Sequence, residues 1–463
     1  MIFYGDDSPI AAVATPPGQG ALAVIRTSGK NAIEQLAERF SAPQKLKAAA
    51  GNTVVYGWML DKSRNRLDEV LISVYRAPKS YTSEDGADIS CHGGYAVVQA
   101  VLEALHDAGF RDALPGEFTF RAFMNGKLDL TRAESVMEIV SAKTGKAHAG
   151  AVRRLSGDLE SEIRAIKEKL VRVLAGAELF LDYSEDEFAE AGADERSGML
   201  PERELAQEVL AELRELSASF HIENLYQEGA LAVIAGRPNA GKSSLFNRLV
   251  KEDRAIVAES PGTTRDWLEA WIAIEGIPVR LADTAGIRDS NDAVEKTGVE
   301  RGIELIKCAD VVLYIVDGTV GLAGEDSQFL CSGAIEGKPL IMVWNKSDAA
   351  PEMIEPPLGM ERVSAKTGEG VMSLSTRIAE ALAGRNAGAE SDRIGVASAR
   401  QKTLIDRAVE QVADALDMAD KGQTLDIIAP SLKEAVDCLG EITGEVSTAD
   451  ILEVMFGSFC VGK

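Results

Sequence analysis

The sequence contains one pattern whose chemistry follows directly from residue type and spacing, Gly-Arg-Pro-Asn-Ala-Gly-Lys-Ser at 236–243. It matches the phosphate-loop pattern G-x-x-x-x-G-K-[S/T], in which backbone N–H groups surround nucleotide phosphates. Lys242 is expected to reach the β- and γ-phosphates, and the Ser243 hydroxyl is expected to bind Mg²⁺. An apolar run at 230–235 and a helical pattern from Ser244 predict the strand and the helix that position such a loop.

A second motif predicts the base. Asn-Lys-Ser-Asp at 345–348 follows the apolar run 340–344 and therefore lies at the carboxyl end of a strand, where α/β sheets bind ligands. Asp348 can accept hydrogen bonds from the N1–H and 2-amino groups of guanine, and adenine offers neither donor. Ser-Ala-Lys at 364–366 is expected to contact the base from the other side. The predicted nucleotide is GTP.

Two further segments complete the predicted phosphate and metal site. Asp-Thr-Ala-Gly at 283–286 is expected to hold Mg²⁺ through a water on Asp283 and to contact the γ-phosphate through the Gly286 N–H. Between the loop and this motif lies Pro-Gly-Thr-Thr-Arg-Asp at 261–266, in which Thr264 is expected to complete the Mg²⁺ shell. The layout resembles the translation-factor-related class of GTPases.

The motifs together give a predicted set of GTP-binding residues. They are Asn239, Ala240, Gly241, Lys242, Ser243, Ser244, Ala258, Glu259, Ser260, Pro261, Gly262, Thr263, Thr264, Asp283, Thr284, Ala285, Gly286, Asn345, Lys346, Asp348, Ser364, Ala365 and Lys366.

The residue after Asp-Thr-Ala-Gly is Ile287, where many GTPases carry a glutamine that orients the attacking water. Another polar group must therefore do this. The following segment offers Asp289, Asp292 and Glu295 as candidates. The alternative is that these acids form the solvated face of a loop.

Length and composition limit the possible classes of protein. At 463 residues, two to four domains are expected, and a net charge of −24 argues against a generic basic nucleic-acid binder while leaving room for a local basic patch. The five cysteines form no C-x-x-C pair, which disfavours a disulfide framework and a zinc site. With no signal-peptide pattern and no long apolar run, we expect a cytoplasmic protein that does not associate with membranes.

Composition also predicts the domain organisation. Residues 1–126 combine short strand-like runs with one helical pattern at 95–107 and predict an α+β domain. Residues 127–226, with a helical period from 151 to 181, and residues 387–463 predict the two parts of an all-α helical bundle. The segment 227–386 predicts an α/β P-loop G domain of the Ras-like type, inserted into that bundle. The alternative is two unrelated helical domains, each of which would bury little core.

Several segments outside the nucleotide motifs carry a more specific resemblance. They are Ile-Ala-Ala-Val-Ala-Thr-Pro-Pro-Gly at 10–18, Pro-Gly-Glu-Phe-Thr-Phe-Arg-Ala-Phe at 115–123, Leu-Gly-Glu-Ile-Thr-Gly-Glu at 439–445 and the terminal Ser-Phe-Cys-Val-Gly-Lys at 458–463. Together with the motifs at 236–243 and 261–266, these segments make the chain similar to the MnmE (TrmE) family of tRNA-modification GTPases from near residue 10 to the end.

The resemblance implies a function that the motifs alone do not. Members of this family are K⁺-stimulated homodimers that act with the FAD-containing partner MnmG, in a heterotetramer, on the wobble uridine of certain tRNAs. They add a carboxymethylaminomethyl or aminomethyl group at carbon 5 of the base. A folate in the N-terminal domain, 5-formyltetrahydrofolate or a related tetrahydrofolate, is the implied one-carbon source.

The resemblance also implies roles for residues in the G domain. The implied K⁺ ligands are Asn239, Ala258, Ser260 and Thr263. Glu295 corresponds to the family's water-orienting glutamate and is favoured over the other two acids. Arg265 and Arg288 match family arginines in the two switch segments, with ordinary surface solvation as their alternative.

For folate, the implied residues are Arg26, Asp88, Lys127 and Lys463, because basic groups suit the glutamate carboxylates of folate and a carboxylate suits the pterin edge. Asp88 replaces the family's usual glutamate, so Glu84 is an alternative. Cys460 is the cysteine of the family's tail motif and is a candidate catalytic thiol or a packing residue.

Two other functions remain open on the residues alone. The chain could be a GTPase switch or ribosome-assembly factor without covalent RNA chemistry, although no KH-type module is visible. It could also be a folate enzyme that acquired a G domain. Modification of tRNA is the favoured interpretation.

Overall fold

The structure is a computed structural model that describes residues 7–182, 200–252, 268–284, 304–331, 333, 335–351, 355–384, 394–446 and 449–462. The chain divides into two compact units. The first contains Met1–Met137 and Val436–Lys463, and the second contains Glu138–Ala435.

The strands are β1 Ile10–Val13, β2 Leu22–Ser28, β3 Thr53–Leu60, β4 Arg66–Tyr75, β5 Gly86–His92, β6 Arg111–Asp112, β7 Ala230–Gly236, β8 Leu268–Ile274, β9 Ile277–Asp283, β10 Val311–Asp317, β11 Leu340–Asn345 and β12 Glu361–Arg362. The helices are α1 Ala32–Glu38, α2 Pro43–Lys47, α3 Tyr95–Asp107, α4 Glu117–Met124, α5 Leu130–Ser141, α6 Gly145–Ser156, α7 Asp158–Asp182, α8 Arg203–Glu228, α9 Lys242–Glu252, α10 Gly324–Leu330, α11 Val371–Ala383, α12 Ala399–Asp420, α13 Leu425–Thr443 and α14 Ala449–Gly457.

The first unit contains a six-stranded sheet in the order β3-β4-β5-β2-β1-β6. Its pairs are antiparallel except for the parallel pair of β1 and β6. Alternate residues of the strands, among them Ile25, Ile72 and Ile89, are buried in one core with Leu36 of α1 and Leu105 of α3. The predicted helix at 95–107 is confirmed, because its apolar residues cover this sheet face.

The C-terminal tail belongs to the same unit and packs on α4. The Phe456 side chain is fully buried, and its ring centroid lies 5.4 Å from that of Phe120 in an edge-to-face arrangement. After α14 the chain passes Gly116, whose N–H donates to the Cys460 carbonyl at 3.4 Å. Two residues far apart in sequence, Phe120 and Phe456, therefore anchor the segment that carries Cys460.

The second unit contains a six-stranded sheet in the order β12-β11-β10-β7-β9-β8, in which β8 is antiparallel to β9 and the other pairs are parallel. Apart from one partly buried end residue each, β7 and β10 are buried throughout, which is why their sequences are continuous apolar runs. The strands predicted at 230–235 and 340–344 are confirmed, each with one more residue at its carboxyl end.

Helices of the second unit also form a layer in which α8 packs against α7 and α12. The helical pattern predicted over 151–181 is interrupted: α6 ends at Ser156, and α7 begins at Asp158. Gly157 causes the break with φ of 98°, a left-handed conformation that glycine adopts without steric cost. Apolar periodicity did not reveal the break because it continues across the glycine.

Candidate GTP-binding site

The phosphate loop connects the end of β7 at Gly236 to the start of α9 at Lys242. Both loop glycines are sterically required. A Cβ at Gly236 would lie 2.4 Å from the Ile315 carbonyl oxygen, and one at Gly241 would lie 2.2 Å from Asn345 Nδ2. Both also have positive φ, which disfavours other residues. The loop is therefore built against the neighbouring strands β10 and β11.

The phosphate-side polar groups lie at the start of α9. Lys242 Nζ donates to the carbonyls of Gly236 and Arg237 at 2.9 and 2.8 Å, so the amino group already lies within the loop. Ser243 Oγ donates to Asp283 Oδ2 at 2.8 Å, and the Asp283 side chain is fully buried. A hydroxyl and a carboxylate at this distance are oxygen donors of the type that Mg²⁺ prefers, so the pair fits the predicted metal.

The base-side motif is tied to both neighbouring loops. Asn345 Nδ2 donates to the Ala240 carbonyl at 2.9 Å, and its Oδ1 accepts from the Ala365 N–H at 3.1 Å. One buried amide thus joins the phosphate loop to the 364–366 segment. Asp348 is exposed, and its Oδ1 accepts from Ser364 Oγ at 2.7 Å, which fixes one carboxylate oxygen and leaves the other free to face a base.

The charge of Lys346 is balanced by Asp317 at the end of β10, with Nζ and Oδ2 2.6 Å apart. Burial alone would raise the pKa of Asp317, but hydrogen bonds from Lys346 and Thr319 outweigh it and lower that pKa. The aspartate is therefore ionised at neutral pH and holds the lysine stem beside the base site. Neither residue type nor local spacing in the sequence had indicated that Asp317 belongs to this site.

Some of the remaining predicted residues of this site are described by the structure, and others lie outside the described residues. Thr284 Oγ1 donates to the Ile234 carbonyl at 2.9 Å, while Asn239, Ser244 and Lys366 are exposed. Asn239 has φ of 62°, which places it at the turn of the loop. Outside the described residues lie Ala258, Glu259, Ser260, Pro261, Gly262, Thr263, Thr264, Arg265, Ala285, Gly286, Arg288 and Glu295.

The first unit contains a separate cavity of about 190 Å³. It is lined by Arg26, Thr27, Ser28, Tyr75, Ser80, Tyr81, Thr82, Gly86, Asp88 and Phe118. Arg26 Nε donates to Asp88 Oδ1 at 3.0 Å, and the guanidinium lies 5.5 Å from the centroid of the Tyr81 ring. The cavity therefore offers a cation, a carboxylate and aromatic faces.

Two of the predicted folate residues, Arg26 and Asp88, line this cavity. Lys127 does not, but its amino group donates to the Ser80 carbonyl of the cavity wall. Glu84, the alternative to Asp88, accepts from Ser28 Oγ at 2.7 Å. Lys463 lies outside the described residues.

The tail reaches the same cavity. The Gly462 carbonyl accepts from Arg26 Nη1 at 3.4 Å, and Cys460, two residues earlier, is exposed. Cys91, by contrast, is buried, and burial raises the pKa of its thiol to about 11, with a smaller contribution from Asp68. A neutral thiol at that position is a poor nucleophile, while His92 lies on the opposite, exposed face of β5.

Sequence reasoning had missed the aromatic members of the cavity, Tyr75, Tyr81 and Phe118. They come from β4, from the segment before β5 and from α4, and no common motif or spacing connects them. The pairing of β5 with both β2 and β4, together with the position of α4, brings them to Arg26.

Comparison with known proteins adds to this geometry. The family model described as "GTP-binding protein TrmE N-terminus" matches residues 9–127, and the "MnmE helical domain" model matches residues 130–460. The tRNA modification GTPase MnmE of Treponema denticola is 43% identical over 478 residues, covering 99% of each chain. The chain belongs to the MnmE family. The corresponding protein of Carboxydothermus hydrogenoformans is 39% identical over 474 residues, covering 99% of this chain and all of that one.

Among solved structures, the G domain of the T. maritima FeoB iron transporter is similar at 28% identity and a TM-score of 0.25, covering 33% of this chain and 97% of that one. The predicted fold class is confirmed: an α+β N-terminal domain, a helical domain and an α/β P-loop G domain. Within the part of the chain that the structure describes, no helix is both long and apolar enough to span a bilayer.

Proposed function

We propose that this member of the MnmE family is a GTP hydrolase that acts in the modification of the tRNA wobble uridine. It adds a carboxymethylaminomethyl or aminomethyl group at carbon 5 of that base. The observation that carries the proposal is the assembled nucleotide site, in which Asn345 joins the phosphate loop to the 364–366 segment, in a chain similar to MnmE along its whole length. The proposed domains are the N-terminal domain at 1–126, the two parts of the helical domain at 127–226 and 387–463, and the G domain at 227–386.

In the G domain, the loop N–H groups and Lys242 bind the phosphates, and Asp348 binds guanine. Ser243, Thr264 and Asp283 would hold Mg²⁺ at this site. When bound, K⁺ would supply, beside the β- and γ-phosphates, the positive charge that other GTPases take from an arginine finger. The proposed K⁺ ligands are Asn239, Ala258, Ser260 and Thr263. Glu295 orients the water, and Arg265 and Arg288 assist from the switch segments.

In the N-terminal domain, the cavity beside Arg26 and Asp88 binds a tetrahydrofolate that supplies the one-carbon unit. The donor set supports this: a guanidinium suits the glutamate carboxylate, a carboxylate suits the pterin edge, and aromatic rings suit a flat heterocycle. Lys127 and Lys463 add positive charge at the margin, and Cys460, in the tail whose Gly462 carbonyl accepts from Arg26, is the candidate thiol. The protein works as a cytoplasmic homodimer with the flavoprotein MnmG and tRNA.

The test is nucleoside mass spectrometry of tRNA from cells that lack the protein, complemented with the intact chain or with Lys242→Ala. We expect modified wobble uridine to be lost without the protein and restored only by the intact chain. Normal tRNA in the deletion strain would refute modification and favour the GTPase-switch function. The K⁺ role is tested separately, by comparing GTP hydrolysis in K⁺ and in Na⁺ at equal ionic strength.

A further inference from the structure

Arg248 lies on α9, six residues after the phosphate-loop lysine Lys242. Its guanidinium donates from Nε to the Ala365 carbonyl at 3.1 Å and from Nη2 to the Lys366 carbonyl at 2.7 Å. The side chain is 20% exposed: the hydrogen bond to Ala365 is partly buried, and the one to Lys366 is open to solvent. Arg248 therefore binds consecutive carbonyls of the loop that is expected to contact the base.

That loop controls the guanine-recognising carboxylate. Ser364, its first residue, donates from Oγ to Asp348, and the next residue, Ala365, donates from its N–H to Asn345 Oδ1 at 3.1 Å. The loop closes on itself through the Gly368 N–H, which donates to the Ser364 carbonyl at 2.8 Å. A shift of the loop backbone would therefore move the partners of both base-side polar residues.

Close packing shows that the loop and the arginine fit each other. Gly368 has φ of 92°, and a Cβ there would lie 3.3 Å from Arg248 Cζ and 2.9 Å from Glu252 Oε1. Arg248 Nη1 also lies 3.5 Å from Glu252 Oε1, an ion pair one helical turn away. The glycine leaves the space that the guanidinium occupies.

The residue type matters, because a planar guanidinium offers several donors in a fixed fork and a lysine offers one compact charge. We propose that Arg248 is a positioning residue for nucleotide selectivity. It holds the 364–366 loop so that Ser364 keeps the Asp348 carboxylate aligned with the N1–H and 2-amino groups of guanine. This inference rests on the proposed binding of guanine nucleotides.

The experiment uses the full chain with Arg248→Gln and Arg248→Lys, and calorimetric titration with GDP and with IDP, which lacks the 2-amino group. For Arg248→Gln we expect the Kd for GDP to rise roughly 10-fold and the preference for GDP over IDP to fall, since two hydrogen bonds from a charged group are lost. In GTP hydrolysis, KM should rise while kcat stays within about 2-fold, because the reacting phosphates are not touched. Arg248→Lys should recover part of the preference.

Two variants on the same helix are controls. Lys251→Gln removes one positive charge at an exposed position, and Glu252→Gln weakens the ion pair but keeps the two carbonyl hydrogen bonds. Both should bind GDP and IDP as the intact chain does.

An unchanged preference for GDP over IDP in a folded Arg248→Gln protein would overturn the proposal, including when both affinities fall equally. If that variant does not fold, the same comparison on Arg248→Lys decides. Failure of the intact chain to bind GDP would refute the proposed nucleotide site instead, so the two failures can be distinguished.

Discussion

The Glu117 side chain has no exposure to solvent, and its carboxylate is held by two arginines. Arg111 donates to both of its oxygens at 2.6 and 2.7 Å, Arg121 Nη2 donates to Oε1 at 2.9 Å, and the Leu114 N–H donates to Oε2 at 2.9 Å. Glu117→Gln would remove the buried negative charge that both guanidinium groups share, although Arg121 would still face Glu84 at 3.3 Å. We expect a loss of about 3–5 kcal/mol in the free energy of unfolding of the first unit, measured by urea denaturation.

The matched control is Asp112→Asn, whose partner is His106 at 2.9 Å but whose side chain is 76% exposed. An exposed pair contributes at most about 1 kcal/mol, so this variant should unfold almost as the intact chain does. Equal effects of the two substitutions would contradict the role assigned to burial.

The same carboxylate predicts a dependence on pH. Burial raises the pKa of Glu117, but hydrogen bonds from Arg111 and Leu114 and the charge of Arg121 outweigh it, so the pKa lies below its ordinary value of 4.5. Because its pKa is lower in the folded state, the carboxylate stabilises the fold at pH values above its pKa in the unfolded chain. This stabilisation is lost as the pH falls through its pKa in the folded chain. The free energy of unfolding should therefore decline below about pH 4.5, and Glu117→Gln should lack this part of the decline.

Asp348 gives a prediction about the base. An asparagine there would offer an N–H₂ group where guanine also has an amino group, whereas xanthine has an oxygen. We expect Asp348→Asn to bind GTP at least about 100-fold more weakly and to prefer XTP, because the asparagine amide would present a donor to the donors of guanine. Competition of GTP and XTP for a fluorescent nucleotide measures this, and retained preference for GTP would show that Asp348 does not contact the base.

At the residue scale, what the sequence could predict depended on motif length. Asn345 and Asp348 lie within one short motif whose spacing fixes their role. The ion pair of Asp317 with Lys346 joins residues 29 positions apart, and the hydrogen bond of Arg248 to Lys366 joins residues 118 positions apart. Only the sheet order and helix packing bring these residues together. The segments 253–267 and 285–303, with Glu295, lie outside the described residues, so their roles stay predictions.

Among the elements, those flanking the nucleotide motifs were the most predictable. β7 is buried along almost its whole length and β11 over its carboxyl half, and each apolar run is followed at once by a nucleotide motif, which favours a strand for both. The helices α1, α2 and α4 of the first unit gave no such signal, because 5 to 8 residues contain too few turns for a clear period. The cavity next to α4 was correspondingly hard to predict.

The attachment of α14 depends on Gly116, which has φ of 67°. A Cβ there would lie 2.5 Å from the Phe456 carbonyl oxygen and 3.0 Å from Phe459 Cβ. Gly116→Ala should therefore displace the tail and accelerate hydrogen exchange of the Phe459 N–H, which donates to the Phe456 carbonyl at 3.0 Å.

Gly126→Ala is the control for backbone strain alone. Its φ is also 67°, but no atom lies within 4 Å of a Cβ built there. Gly126→Ala should lower the free energy of unfolding only by the cost of a left-handed alanine, about 1–2 kcal/mol, and should leave hydrogen exchange of the Phe459 N–H unchanged. Equal exchange in both variants would mean that contact with Gly116 does not hold the tail.

At the scale of the whole molecule, the two compact units bury different cores. Ile25, Ile72 and Ile89 lie in one, and Ile234 and Leu313 lie in the other together with the nucleotide site. Separate cores predict separate unfolding transitions in calorimetry, because cooperativity is a property of a shared core. GDP at 100 times its Kd should stabilise only the unit that binds it, by about 2.7 kcal/mol.

In a unit of this size, that stabilisation corresponds to a rise of roughly 5 °C in one Tm. The transition weakened by Glu117→Gln should be the other one, so the ligand and the substitution assign the two transitions independently. A rise of both transitions with GDP, or a single transition that responds to both changes, would show that the units unfold together. Nucleotide binding in the G domain would then be energetically coupled to the unit that contains the Arg26 cavity.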